Sequence, residues 1–148
     1  MGIDYLYSIV LAVVFGAMVG IEREYSGKSA GLRTNVLICV GAAVFTIISK
    51  EMAGPQQSIT RIAAQIVTGV GFLGAGAIIQ DRGGVHGLTT AATIWLVSSI
   101  GMACGAKMYY LAFVTTLIAI VVLIVMRGLT KAVEHYSSYK SDSAEQNQ

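Results

Sequence analysis

The chain has 148 residues, of which 55% are hydrophobic and 12% are charged. Soluble domains carry about 25% charged residues, so this composition excludes an ordinary soluble domain and favours one compact membrane domain in a lipid bilayer. The net charge of +2 is small and scattered along the chain, which excludes nucleic acid as an expected partner. Cys39 and Cys104 both lie in apolar runs and are interpreted as small buried residues.

Five apolar runs follow one another, at residues 5–21, 34–49, 62–80, 88–104 and 108–126. A spanning helix needs about 17–25 residues, so these runs are at the short end of that range. They predict an all-α membrane protein with five transmembrane helices. We expect residues 1–128 to form the transmembrane domain and residues 129–148 a short cytoplasmic polar tail, disordered from Ser141 onward.

The basic residues between the runs predict the orientation. One side of the membrane would carry Arg23, Lys28, Arg33, Arg82, Arg127, Lys131 and Lys140. The other side would carry only Lys50, Arg61 and Lys107. Because cytoplasmic loops are enriched in Lys and Arg, the first set is predicted to be cytoplasmic, with the N-terminus outside and the C-terminus inside.

The first predicted helix carries Gly16 and Gly20, spaced as G-x-x-x-G. This spacing indicates close packing on another helix, either within the chain or across a possible homodimer. Charged residues follow at the end of the helix. We expect Glu22 to pair with Arg33 at the start of the second helix, because charges at membrane depth are usually paired. The alternative is a headgroup-level cluster that only fixes topology, the role assigned to Arg23, Glu24 and Lys28.

The third run contains Gly69, Gly71, Gly74 and Gly76. Each glycine costs about 1 kcal/mol relative to alanine inside a helix, so four of them indicate contact with neighbouring helices. The run is therefore predicted to be the central helix of the bundle. Gly69 to Gly74 also matches G-x-G-x-x-G, but the acid that a dinucleotide site needs about 20 residues later is missing.

A polar face begins the same helix, formed by Arg61, Gln65 and Thr68. These side chains would either hydrogen-bond between helices or line a small cavity.

The connection from Gln80 to Gly87 contains three glycines, which permit a tight turn with positive φ. It carries the candidate residue Asp81, and Thr89 or Thr90 is the expected N-cap of the fourth helix. The free amides of that helix could hold an anion. The alternative is a plain helical hairpin turn. Thr90 and Thr93 would share a small polar face of the fourth helix, and the Leu- and Ile-rich fifth helix is expected to face lipid.

Motifs of zinc proteases, P-loops and C-x-x-C redox sites are absent from the sequence. We expect no enzyme activity, no cofactor and no metal site.

Five motifs resemble the signature runs of the MgtC/SapB family. They are Gly20-Ile-Glu-Arg-Glu24, Gly31-Leu-Arg-Thr34, Arg61-Ile-Ala-Ala-Gln65, Val70-Gly-Phe-Leu-Gly-Ala-Gly76 and Gly87-Leu-Thr-Thr-Ala-Ala-Thr-Ile-Trp95. The resemblance covers about residues 16–105. It carries the family's signature positions onto Glu22, Arg33, Arg61, Gly69, Gly71, Gly74, Gly87 and Thr90. Some members have Asn in place of Thr89 and Cys in place of Leu96, and many carry a soluble C-terminal domain that we do not expect here.

The resemblance implies a bacterial inner-membrane protein associated with adaptation to low magnesium and with virulence. It implies modulation of other membrane machinery, including the proton-driven ATP synthase. Two functions therefore stay open: a regulator that contacts a membrane-protein partner, and a transporter of magnesium or another small ion. The lack of acidic residues inside the predicted crossings favours the first.

Overall fold

The computed structural model describes residues 2–53, 60–81 and 84–145, with side-chain surroundings for residues 3–53, 64–81 and 84–129. The side chain of Arg61 and the whole of Arg82 lie outside these ranges. The elements in chain order are α1 (Gly2–Tyr25), α2 (Leu32–Met52), α3 (Thr60–Gly76), β1 (Ile79–Asp81), β2 (Gly84–His86), α4 (Leu88–Gly105) and α5 (Tyr109–Glu145).

The prediction of an all-α membrane protein is confirmed. Four helices are long and apolar enough to cross a membrane, at Ile3–Tyr25, Leu32–Met52, Leu88–Gly105 and Tyr109–Leu129. The apolar part of α3 is shorter, from Ala64 to Gly76. The orientation of the termini stays a prediction. Helix α5 continues to Glu145, so residues 141–145 are helical where the sequence predicts disorder, and residues 146–148 lie outside the described residues.

The connection between α3 and α4 differs from the predicted helical turn. The third run leaves the helix after Gly76, and β1 pairs antiparallel with β2 in the register Ile79 to His86 and Asp81 to Gly84. Gly84 and Gly87 have φ values of 129° and 88°, which glycine adopts easily. The expected positive-φ glycines are therefore present, but they serve a short β-hairpin.

The central helix is α4, which packs against α1, α2, α3 and α5. It is the most buried of the four candidate spans, although Leu88 and Trp95 remain exposed. The main core joins four helices through small and medium side chains, among them Ala12, Val19, Cys39, Val97, Ile100 and Ala112.

The prediction that α3 is the central helix is wrong. The described part of this helix packs mainly on α4 and α2, through Ile66 and Val70. Most of its other side chains are exposed, and Phe72 is 82% exposed. The physical reason is that α3 presents one narrow stripe of large apolar residues to the bundle, which can be covered from one side.

Helix α5 packs on α1 and α4 and exposes a continuous apolar surface. Ile118, Val121, Val122 and Val125 all belong to this exposed surface. Large branched side chains on the outside suit contact with lipid chains, which agrees with the peripheral position predicted for this helix.

Candidate functional site at the hairpin end

The charged residues of the chain gather at two opposite ends of the bundle. We call the end with the C-terminus of α1, the start of α2 and the β-hairpin the hairpin end. The other we call the Lys107 end. At the Lys107 end, Lys107 Nζ donates to Asp4 Oδ2 at 3.1 Å and Lys50 Nζ donates to the Ala106 carbonyl at 3.4 Å. The Tyr5 hydroxyl donates to the Glu51 carboxylate there. The charges at this end thus find partners locally.

The hairpin end buries a charged network on α1. Arg23 is 3% exposed, and its Nη1 lies 3.3 Å from Glu22 Oε2. Ser26 Oγ donates to Glu22 Oε1 at 2.6 Å and accepts a hydrogen bond from Arg127 Nη1 at 2.6 Å. The network therefore links the end of α1 to α5 and holds Glu22 in a mostly buried position.

The expected pair of Glu22 with Arg33 is not formed, because Arg33 is exposed on the first turn of α2 and the nearby Arg23 takes its place. The assignment of Arg23 to a surface cluster was wrong. Two of its nitrogens, Nε and Nη2, are buried without a hydrogen-bond partner among the described residues. A buried, incompletely paired guanidinium is costly, so this position is a functional candidate that the sequence reading missed.

Two further polar residues at this end were also missed. Glu24 Oε2 accepts a hydrogen bond from the Leu32 amide at 2.9 Å, so it caps the start of α2 from the preceding helix. Asn35 Nδ2 donates to the Ala30 and Gly31 carbonyls at 2.7 and 2.8 Å, which fixes the turn before α2. Asn35 is fully buried, and a lone amide just inside an apolar run was the available signal.

The start of α4 is not capped as expected. Its N-cap residue is Gly87, without a side-chain cap, so neither Thr89 nor Thr90 fills that role. A Cβ at Gly87 would overlap the Ala77 carbonyl, which explains why the chain needs glycine there. Thr93 Oγ1 donates to the Thr89 carbonyl at 2.7 Å and so is satisfied within α4.

A cavity of about 460 Å³ lies between the loop after α1 and the first turn of α4. Its polar lining includes Lys28, Ser29, Thr89, Thr90 and His86. The candidate Asp81 lies beside it, with Oδ1 at 3.5 Å from His86 Nε2. This is the most polar of the cavities described, and it brings Thr89, Thr90 and the hairpin together as the sequence predicted.

The polar face of α3 lies elsewhere. Gln65 lines a cleft of about 510 Å³ between α2 and α3, whose other walls include Leu37, Gly41 and Phe45. Thr68 is exposed and its Oγ1 donates to the Ala64 carbonyl of its own helix at 3.3 Å. Gln65 therefore lines a cleft, Thr68 bonds within its own helix, and the choice between the two alternatives for the whole face stays a prediction.

Among the described residues, no group of three or more His, Cys, Asp and Glu side chains is placed to hold a metal ion. Cys39 and Cys104 are both buried and free.

Comparison with known proteins agrees with the resemblance. Protein MgtC of Brucella abortus (strain 2308) is 45% identical over 123 residues, covering 83% of this chain and 51% of the relative. Protein MgtC of Salmonella typhimurium (strain 14028s) is 45% identical over 123 residues, covering 83% and 52%. "Putative magnesium transporter YhiD" of Escherichia coli K12 is 42% identical over 134 residues, covering 86% and 62%.

The chain thus spans about half to three fifths of the length of the curated relatives it matches. No solved structure matches it. The family model described as MgtC family matches residues 9–132. With that match and these relatives, the chain belongs to the MgtC family.

Proposed function

We propose that this chain is a bacterial inner-membrane regulator that acts in adaptation to low magnesium by contacting a larger membrane complex, such as the proton-driven ATP synthase. It carries out no catalysis itself in this proposal. The cytoplasmic side is the hairpin end, because Arg23, Lys28, Arg33 and Arg127 gather there. The names of the relatives MgtC and YhiD support the connection with magnesium.

The observation that carries the proposal is the uncovered face of α3. Gly69 and Gly76, seven residues apart, lie on one side of α3, and a Cβ on either would meet no heavy atom within 4 Å. Exposed small residues let a second helix approach closely in a bilayer, where van der Waals packing drives association. The exposed surface of α5 is built from Ile and Val instead, which suits lipid. The α3 face is therefore the part of this chain best suited to a partner's transmembrane helix.

A polar group on this face supports the same conclusion. Gln65 is exposed at the cleft between α2 and α3, within the apolar part of the helix. Amide side chains hydrogen-bond across helices in membranes, with a contribution of about 0.6–2 kcal/mol each. A partner helix that supplies a polar group would satisfy Gln65, whereas lipid chains would not.

The alternative function is transport of magnesium or another small ion. A cavity of about 500 Å³ between α2, α3 and α4 favours it, because Thr46, Ser98 and Ser99 line it with hydroxyl groups. Magnesium prefers carboxylate, carbonyl and water oxygens, however. Among the described residues the lining contains no carboxylate, and it includes Lys50, whose charge would repel a divalent cation. These features place transport second.

Copurification from native membranes tests the proposal. We expect Gly69→Leu to reduce recovery of a membrane-protein partner at least about tenfold, equivalent to about 1.4 kcal/mol, because the side chain fills the approach of the partner helix. Gly128→Leu is the matched control, since that glycine is also open but lies on α5. Equal recovery with both variants would contradict the role of α3. Magnesium uptake into proteoliposomes above that of empty vesicles would favour the transporter.

A further inference from the structure

The cavity of about 460 Å³ at the hairpin end combines several groups that bind anions. Helix α4 begins at Leu88 and is 18 residues long, and its first turn lines the cavity. The Ala91 amide donates to the Gly87 carbonyl at 2.9 Å and is the first amide bonded in this way. The amides of Leu88, Thr89 and Thr90 precede it and have no intrahelical acceptor. Such a terminus carries about half a positive charge.

Thr90 gives a separate indication of a ligand. Its residue is 4% exposed, and it lines the cavity. In contrast, the buried threonines Thr46, Thr93 and Thr116 each donate at 2.7 Å to the carbonyl four residues earlier. The Thr90 hydroxyl makes no such bond within the part of the chain that the structure describes. It is not among the polar atoms that are closed off without a partner, so it opens into the cavity that the residue lines. A hydroxyl in that position can donate to a group bound in the cavity.

The charges around the cavity favour an anion. Lys28 lines it from the loop after α1 and forms no ion pair with any described residue. The Asp81 carboxylate faces His86 at 3.5 Å. Lys28 on one side of the cavity, and the free amides and hydroxyl of α4 on the other, match the several acceptor oxygens of a phosphate group.

We propose that this cavity binds a phosphate group, held by the first-turn amides of α4, the Thr90 hydroxyl and the Lys28 ammonium. The phosphate belongs either to a lipid headgroup or to a free anion, since the hairpin end lies where the apolar spans end. The site is independent of the α3 face on which the proposed function rests.

Binding to the purified full chain tests the proposal in two arms. Isothermal titration with inorganic phosphate, in a neutral detergent, measures the free anion. Native mass spectrometry after reconstitution in phosphatidylcholine with added phosphatidic acid measures a retained lipid. Saturable binding in either arm supports the site and identifies the source of the phosphate. Absence of saturable binding in both arms would overturn it.

Variants then locate the site. We expect Lys28→Gln and Thr90→Val each to weaken binding about tenfold, as expected for loss of a hydrogen bond to a charged group. Thr90→Ser should retain binding, because it keeps the hydroxyl. Arg33→Gln is the matched control, an exposed cation at the same end but outside the cavity lining. The proposal is refuted if Arg33→Gln weakens binding as much as Lys28→Gln, since general charge attraction would then suffice. Unchanged melting of each variant without ligand excludes misfolding as the cause.

Discussion

Two sets of glycines in this chain have opposite surroundings. Gly16 and Gly20 on α1 lie against α2, where a Cβ on either would come within 2.8 Å of an α2 atom. Gly101 and Gly105 on α4 also lie against α2, and a Cβ there would collide with the Cys39 and Ala43 carbonyls. On α3, by contrast, only Gly74 has neighbours, at ordinary contact distances from Ala91.

The spacing of the glycines explains the difference. Residues four apart lie on one side of a helix, so each of the pairs on α1 and α4 forms a flat strip that another helix can approach. The glycines of α3 alternate two and three residues apart and so point in different directions around the helix. A glycine-rich segment is therefore not by itself a packing surface, whereas a pair spaced by four against another helix is.

Among the substitutions that test this contrast, one at Gly101 should cause the largest loss of stability. We expect Gly101→Leu to destabilise the chain by at least about 3 kcal/mol, because the side chain forces α4 away from the α2 backbone. Thermal unfolding in detergent, followed by circular dichroism, measures the loss. Gly69→Leu is the control, because Gly69 has open space on α3. If both variants melted alike, the close approach of α4 to α2 would be refuted.

The buried charge at the end of α1 gives the next effect. Glu22→Gln removes the carboxylate that faces Arg23 and leaves a buried guanidinium without an opposite charge. Breaking a buried pair in this way costs about 3–5 kcal/mol. Chemical denaturation should show this loss for Glu22→Gln and a change below about 0.5 kcal/mol for the exposed Arg33→Gln. The reverse order would support the pair of Glu22 with Arg33 that the sequence suggested.

The sequence predicts where the helices lie along the chain better than it predicts which helices pack against one another. Apolar runs identify all five helices, because burying backbone in a membrane requires internal hydrogen bonds. The apolar runs do not reveal which helix is surrounded by the others, since that depends on how the surfaces of neighbouring helices fit together. The small residues of α4, from Thr90 to Gly105, determine the centre of the bundle. The third run was predicted to be the central helix because its glycines are denser, but that density does not determine which helix is surrounded.

At the hairpin end, too, the sequence does not predict which of two similar residues makes the contact. Arg23 and Arg33 are both basic residues at the level of the headgroups, and the sequence alone gave no reason to prefer Arg23. The turn between α1 and α2 decides between them. Gly27 adopts φ 65°, Glu24 caps Leu32, and Asn35 holds the carbonyls of Ala30 and Gly31. These contacts within the turn set the directions in which Arg23 and Arg33 leave the backbone, Arg23 inward and Arg33 outward.

The smallest expected effect is a gain in stability rather than a loss, and it concerns α3. Gly71→Ala should stabilise the isolated chain by up to about 1 kcal/mol, because alanine is the better helix former and the new methyl group meets no neighbour. Gly16→Ala should destabilise it by about 1–3 kcal/mol, because a Cβ there crowds Cys39. Parallel denaturation curves of the two variants would show this difference in sign. Loss of stability in Gly71→Ala would mean that α3 already packs on a second copy in detergent. A gain would show that Gly71 has no packing role within the isolated chain, where it only lowers the intrinsic stability of α3.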